Sequence, residues 1–191
     1  MGIAVMSAHC VYVEDCSLTG PGAAMAFGVL ILGGWDAYVW DHCLIRNFSV
    51  GIAVGESIET MVEECWVMSC PAAPVQDGGP PSGGIGFFNS SYCMVRHNNV
   101  TDVMGGGPGL MAINATSITF EHNTVLRAGA GAWLINYTHG TFKHNVLAHC
   151  PGGAIFLNGT GNVIHHNDFV ECYSAEWGSQ AFDAVAGNTW Y

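Results

Sequence analysis

Four side chains in this sequence have types and spacing that could act together: Asp102, Arg127, His149 and Glu171. They continue a polar column that begins with Asn47 and Ser69, and theirs is the one row that mixes a cation, an imidazole and two carboxylates. If successive members stack ~5 Å apart, a guanidinium could neutralise an anionic group while an imidazole, held by a carboxylate, removes a proton. The competing reading is a ladder of surface ion pairs, each contributing about 0–1 kcal/mol. Hydrolysis by paired carboxylates fits less well. Asp102 and Glu171 are three repeats apart, ~14 Å, whereas glycosidases use ~5–9.5 Å.

A second column holds His42, His97, His122, His144 and His166, with His165 beside it. Zinc needs three or four ligands at ~2 Å from one point. Parallel rings on one ladder do not converge, so no metal site is expected and no cofactor is implied. A solvated row whose charge rises near pH ~6–6.5 predicts acid sensitivity through imidazolium repulsion. The cysteines also fall into columns: Cys16, Cys43 and Cys65 in one, Cys70, Cys150 and Cys172 in another. No Cys-x-x-Cys occurs, so there is no zinc signature. A Cys150–Cys172 bridge is sterically allowed at ~4.8 Å; buried free thiols are the alternative. Asn47, Asn89, Asn99, Asn114, Asn136 and Asn158 match N-x-[ST], though most are explained as turn residues.

These columns rest on an internal repeat. Seven segments open with glycine before an apolar run, at Gly2, Gly28, Gly51, Gly84, Gly109, Gly131 and Gly153, with spacings of 26, 23, 33, 25, 22 and 22. Fourteen residues after the glycine stands Cys16, Cys65, Asn98, Asn123, Asn145 or Asn167, with Cys43 after fifteen. Three positions earlier runs an apolar column of Val13, Trp40, Val62, Val95, Phe120, Phe142 and Ile164. Two positions later runs Leu18, Ile45, Val67, Val100, Val125, Leu147 and Phe169. A period of ~22 residues is too short for paired helices but fits three short strands per coil. Coils that cannot bury their apolar residues alone must stack. The expected fold is one all-β domain over 1–191, a right-handed parallel β-helix of about seven coils with an Asn/Cys turn ladder. The Asn column supplies left-handed turns and a chain of side-chain amides. A further column of Asn89, Asn114, Asn136 and Asn158 marks each coil's first turn.

The "GI-x-V … V-x-H-N-x-V" phrasing resembles the right-handed parallel β-helix proteins of the pectate-lyase-like superfamily, from Gly2 to Phe169. The resemblance implies an extracellular or cell-surface setting and a polysaccharide partner, but no single activity, because that scaffold carries many. In a lyase acting on uronate polymers, Arg127 would neutralise the carboxylate and His149, held by Glu171, would take the C5 proton. The metal ligands that calcium-dependent pectate lyases carry on one sheet are missing. That sheet should instead present Ala4, Leu30, Ala53, Gly86, Met111, Trp133 and Ile155, then Met6, Leu32, Gly55, Phe88, Ile113, Ile135 and Leu157. An apolar face of this kind predicts a protein partner or a missing chain segment lying on it.

Composition narrows the rest. Charged residues are 10%, and four Lys plus Arg against fifteen Asp plus Glu give a net charge of −11. A phosphate backbone needs clustered cations, so nucleic acid is not an expected partner. The uncharged run from Cys16 to Trp35 could just cross a ~30 Å bilayer, but Pro21 and its glycines fit the repeat, so no membrane span is expected. No signal peptide is visible at MGIAVMSAHC. The Pro/Gly-rich stretch 71–83 reads as a projecting loop. The uncapped first coil and the tail AEWGSQAFDAVAGNTWY suggest a fragment of a longer solenoid. Two functions remain: a non-catalytic module of a larger, carbohydrate-facing protein, or a lyase or epimerase built on the Asp102–Glu171 row.

Overall fold

The computed structural model describes residues 2–22, 26–71, 82–173, 181–183 and 187–190. Every strand pair is parallel and joins equivalent positions of successive coils, which makes the chain an all-β right-handed solenoid of about seven turns. The first face stacks Ile3–Met6, Phe27–Leu32, Val50–Gly55 and Gly83–Phe88. It continues through the later parts of the long strands Asn99–Thr116 and Thr124–Thr138 to Ile155–Asn158 and Ala181–Asp183. The second face is an eight-stranded sheet running from Tyr12–Glu14 to Thr189–Trp190. The third stacks Ser17–Thr19, Leu44–Arg46 and Trp66–Cys70, the early parts of the two long strands, then Val146–Ala148 and Asp168–Val170.

The chain turns between faces at residues held in the left-handed region. Asp15, His42, Glu64, His97, His122, His144 and His166 all have φ between 44° and 63°. Asn47, Ser69, Asp102, Arg127, His149 and Glu171 lie between 52° and 62°. His, Asn and Asp enter this region more readily than other L-residues. The turn therefore belongs to the residue before the buried Asn column, not to that column as the sequence suggested.

What Asn98, Asn123, Asn145 and Asn167 do is bind coils together. Asn123 Nδ2 donates to Val95 O at 2.8 Å in the preceding coil and to Asn145 Oδ1 at 3.0 Å in the next. Its own Oδ1 accepts from Asn98 N at 3.1 Å and Asn98 Nδ2 at 3.0 Å. The relay ends where Cys65 N donates to Asn98 Oδ1 at 3.0 Å. Above that, Cys65 and Cys43 take the place as buried thiols. All eight cysteines are free, Cys150 and Cys172 included.

The apolar columns fill the interior. Val62, Val95, Phe120 and Phe142 lie in register, as do Ile45, Val67, Val100, Val125 and Leu147, and all are fully buried. The opening glycine follows from this packing: a Cβ at Gly51 would lie 2.2 Å from Val67 Cγ1, and at Gly84 2.3 Å from Val100 Cγ1.

Three sequence readings shift by one residue. In the second coil Val39, not Trp40, pairs with Val13, and Trp40 pairs with Glu14 on the outside. The extra residue is absorbed at the corner, where Asp41 and His42 are both left-handed. In the last full coil Phe156 and Asn158 pair with Trp133 and Ile135, so Ile155 and Leu157, expected outside, are core. Asn158 thereby leaves the turn column, which retains Asn89, Asn114 and Asn136. The apolar first face is also less bare than expected. Ala53, Gly86 and Met111 are buried, and Leu30, Phe88, Ile113, Trp133 and Ile135 are half-buried. Of the stretch 71–83, residues 72–81 lie outside the described residues, while Ser82 is buried and Gly83 begins a strand.

Replacing Asn123 by alanine removes the acceptor of two buried donors and the donor to Val95 O. Stability should fall by about 3 kcal/mol, measured by denaturant unfolding. Asn114→Gly, which removes the exposed ladder to Asn89 and Asn136 while keeping a residue at ease in the left-handed turn (φ 53°), should cost less than about 1 kcal/mol.

Candidate functional site

The Asp102–Glu171 row sits at the corner between the third and first faces. Stacking brings its members together in two separate pairs. Arg127 grips Asp102 with two hydrogen bonds, Nε to Oδ1 at 2.6 Å and a terminal nitrogen to Oδ2 at 3.0 Å. This bond holds the Asp102 carboxyl below its ordinary range and raises the guanidinium. His149 Nδ1 meets Glu171 Oε2 at 2.8 Å. That contact orients the ring and leaves Nε2 pointing away from the carboxylate.

A groove of about 420 Å³ runs along this row, lined by Asp102, Met104, Gly106, Arg127, Gly129 and His149 among others. Its wall is a bulge: five steps separate Val103 from Pro108 where the next coil needs two, from Ala128 to Ala130. The bulge lies so close to the following coil that a Cβ on Gly129 would sit 2.3 Å from the Gly106 backbone. Chemically the row offers one imidazole already oriented by a carboxylate, and a guanidinium whose charge is already matched.

Sequence reasoning missed a second mixed row. Outward positions of the second face carry Glu14, Trp40, Glu63, Arg96, Glu121, Lys143 and His165 in register. Arg96 pairs with Glu63 at 2.8 Å and Lys143 with Glu121 at 2.8 Å. The signal was present one residue after the apolar column, where spacing already aligns Glu63, Arg96, Glu121, Lys143 and His165; the slip at Trp40 only put Asp41 in the second coil's place. Of the chain's four cations, three are thus ion-paired, and Arg46 donates to Thr19 Oγ1 at 2.9 Å.

The same slip concealed an aromatic surface on the first coils. Tyr12 and Tyr38 stack with centroids 5.1 Å apart and planes 6° from parallel, and Trp40 lies 6.5 Å from Tyr12. Tyr12 is 56% exposed, and Trp35 and Trp66 are 55% and 52%. Carboxylates fix the polar edges: Trp40 Nε1 donates to Glu14, Trp35 Nε1 to Glu59, and the Tyr38 hydroxyl to Asp36 at 2.7 Å. The Tyr38 hydroxyl, and after it the Cys10 thiol, hold the Asp36 carboxyl below its usual range.

With these surfaces mapped, comparison with known proteins becomes informative. The family described as "Right handed beta helix region" matches residues 83–185, more than half the chain. This chain belongs to the right-handed β-helix family. Among solved structures, this β-helix resembles DFA-IIIase from Arthrobacter chlorophenolicus A6 in complex with GF2. The TM-score is 0.61 at 12% identity, over 83% of this chain and 38% of that one. It also resembles GH136 lacto-N-biosidase from Eubacterium ramulus, with a TM-score of 0.60 at 14% identity, over 100% of this chain and 43% of that one. At such identities the likeness is one of fold. The β-helix spans about two fifths of either protein. Among proteins of curated function, none matches the sequence. Among the described residues, no helix is long and apolar enough to cross a membrane.

The His column of the β-helix forms as a stack: His97 on His122 at 5.1 Å and 3°, and His122 on His144 at 4.9 Å and 6°. Loss of hydration, then the neighbouring imidazoles, holds His144 below the ordinary histidine range. A depressed folded-state pKa means that the unfolded chain binds the proton more readily. Stability is therefore complete above the unfolded value of ~6.5 and declines as pH falls through it toward the folded value. Melting at pH ~7.5 and ~5 should differ by a few degrees, lower in acid. His122→Asn, which keeps a residue tolerant of the left-handed corner, should shrink that difference.

Proposed function

We propose that this chain is a carbohydrate-facing β-helix module that acts by binding rather than by cleaving. The observation that carries this reading is the aromatic surface of Tyr12, Tyr38 and Trp40 on the second face, where carboxylates hold the polar edges of Tyr38 and Trp40. Flat apolar faces with fixed polar rims suit sugar rings, which present C–H faces and hydroxyl edges. The solved structures of similar fold, DFA-IIIase and a GH136 lacto-N-biosidase, give the carbohydrate reading its context. The charge balance argues for neutral rather than uronate polymers. The net charge is −11 and the cations are paired or hydrogen-bonded within the fold.

A second reading has one observation in its favour: the groove beside His149, with Glu171 orienting the ring. There His149 would be the base of a lyase or epimerase and Arg127 the neutralising group. To serve, Arg127 would have to release Asp102 or share it with substrate.

Affinity electrophoresis in neutral β-glucan, fructan and galactan, against polygalacturonate and alginate, separates these readings. The module reading expects retardation by a neutral polymer, weakened about tenfold in Tyr38→Ala or Trp40→Ala, a loss typical of a central aromatic contact. Retardation by no polymer, or retardation unchanged in both variants, overturns it. Unsaturated product released from a uronate polymer and abolished in His149→Ala would establish the second reading instead.

A further inference from the structure

The parallel imidazole stack ends differently from how it begins. In coils above, the last outward residue of the second-face strand is Glu63, Arg96, Glu121 or Lys143, and the corner residue after it is Glu64, His97, His122 or His144. In the next coil both positions are histidine, His165 and His166. Two consecutive residues of an extended strand would point to opposite faces. Here His166 has a φ of 53°, which breaks the alternation and swings its ring to the side of His165. Their rings stand 84° apart with Nδ1 atoms 2.6 Å from each other.

His144 completes the cluster from the coil above. It stacks on His166 at 5.1 Å and 27°, and meets His165 edge-on at 5.8 Å and 78°. One ring nitrogen from each of His144, His165 and His166 lies within 4.8 Å of the others. The sequence argument that ladder rings cannot converge holds for His97 and His122. It fails here because His165 is not on the ladder.

We propose that His144, His165 and His166 form a binding site for a divalent transition metal of the zinc class. His165 Nδ1 and His166 Nδ1, 2.6 Å apart, share one proton in a hydrogen bond, and a metal ion held by both rings would take that proton's place. Three imidazoles suit zinc, copper, nickel or cobalt, whereas calcium and magnesium want oxygen ligands. Tetrahedral zinc with bonds of ~2.0–2.1 Å places ligand nitrogens ~3.3 Å apart, which small ring rotations from these positions can reach. The one neighbouring cation is drawn away: Lys143 Nζ lies 2.8 Å from Glu121 Oε2, toward the preceding coil. Among the described residues, His122 stacks flat on His144 and adds no ligand, so none of them supplies a fourth donor beside the three imidazoles. Among the described residues the other such cluster, Asp41, His42 and Glu64, is exposed, and His42 is already paired with Asp41 at 2.9 Å.

The test is calorimetric titration of zinc chloride into the full, tag-free, chelator-stripped chain, with cobalt(II) absorbance as a second readout. One zinc per chain in the low micromolar range is expected, with a cobalt spectrum of tetrahedral intensity. His144→Ala and His165→Ala should each weaken binding at least about tenfold, and His97→Ala and His42→Ala should leave it unchanged. His165→Lys, which copies the residue one coil above, serves if the alanine variant fails to fold. No saturable binding to the wild-type chain overturns the proposal. So does binding that survives loss of His144 and His165, or that is lost equally in His97→Ala.

Discussion

Each strand of this solenoid finds its backbone partners one coil above and one coil below, so a residue can only meet its counterpart in the repeat. That constraint turns composition into geometry. Asn meets Asn in the relay from Asn98 to Asn167, and each amide is satisfied by the next. Tyr meets Tyr at Tyr12 and Tyr38, and His meets His from His97 to His144. A buried relay of this kind stabilises only when the register is held, because one displaced amide leaves several donors unmatched. The left-handed corners hold it, at equivalent places in every coil. Since every coil has them, an unusual φ at Arg127 or His149 belongs to the architecture and is no mark of catalysis.

The same stacking disciplines charge. A chain with four cations and fifteen carboxylates would crowd like charges if they fell at random on a ladder. Instead Glu63, Arg96, Glu121 and Lys143 alternate in sign along one row, and Asp102 faces Arg127 on another. These pairs are surface interactions of small individual worth. Their larger consequence is functional, since they use the cations that an acidic polymer would need. Besides the carboxylates outside these pairs, the described surface presents aromatic rings, an oriented His149 and clustered imidazoles.

The fold was legible because its signal repeats seven times, so one ambiguous coil does not hide the period. Val62, Val95, Phe120 and Phe142 fell into register directly from spacing. The partners within the Asp102–Glu171 row were legible for the same reason. Single coils were not. The extra residue at Asp41–His42 moved Trp40 from core to surface and, with it, concealed the aromatic surface. The last full coil begins one residue later than its glycine suggested, which exchanged Ile155 for Phe156 on the outer face. In both cases a corner accommodates an extra residue without disturbing the strands, and spacing alone does not say which corner.

The sequence by itself determined the periodicity, the parallel stacking and the main apolar and Asn columns, because side-chain size and polarity at fixed intervals leave no other way to bury the apolar residues. Tertiary structure alone decided which way side chains at the corners point. A left-handed residue breaks the alternation of a strand, so His165 and His166 converge where alternation would have parted them. It also decided which charges are already spent on each other, since that depends on ångström-scale reach between coils that no linear spacing encodes.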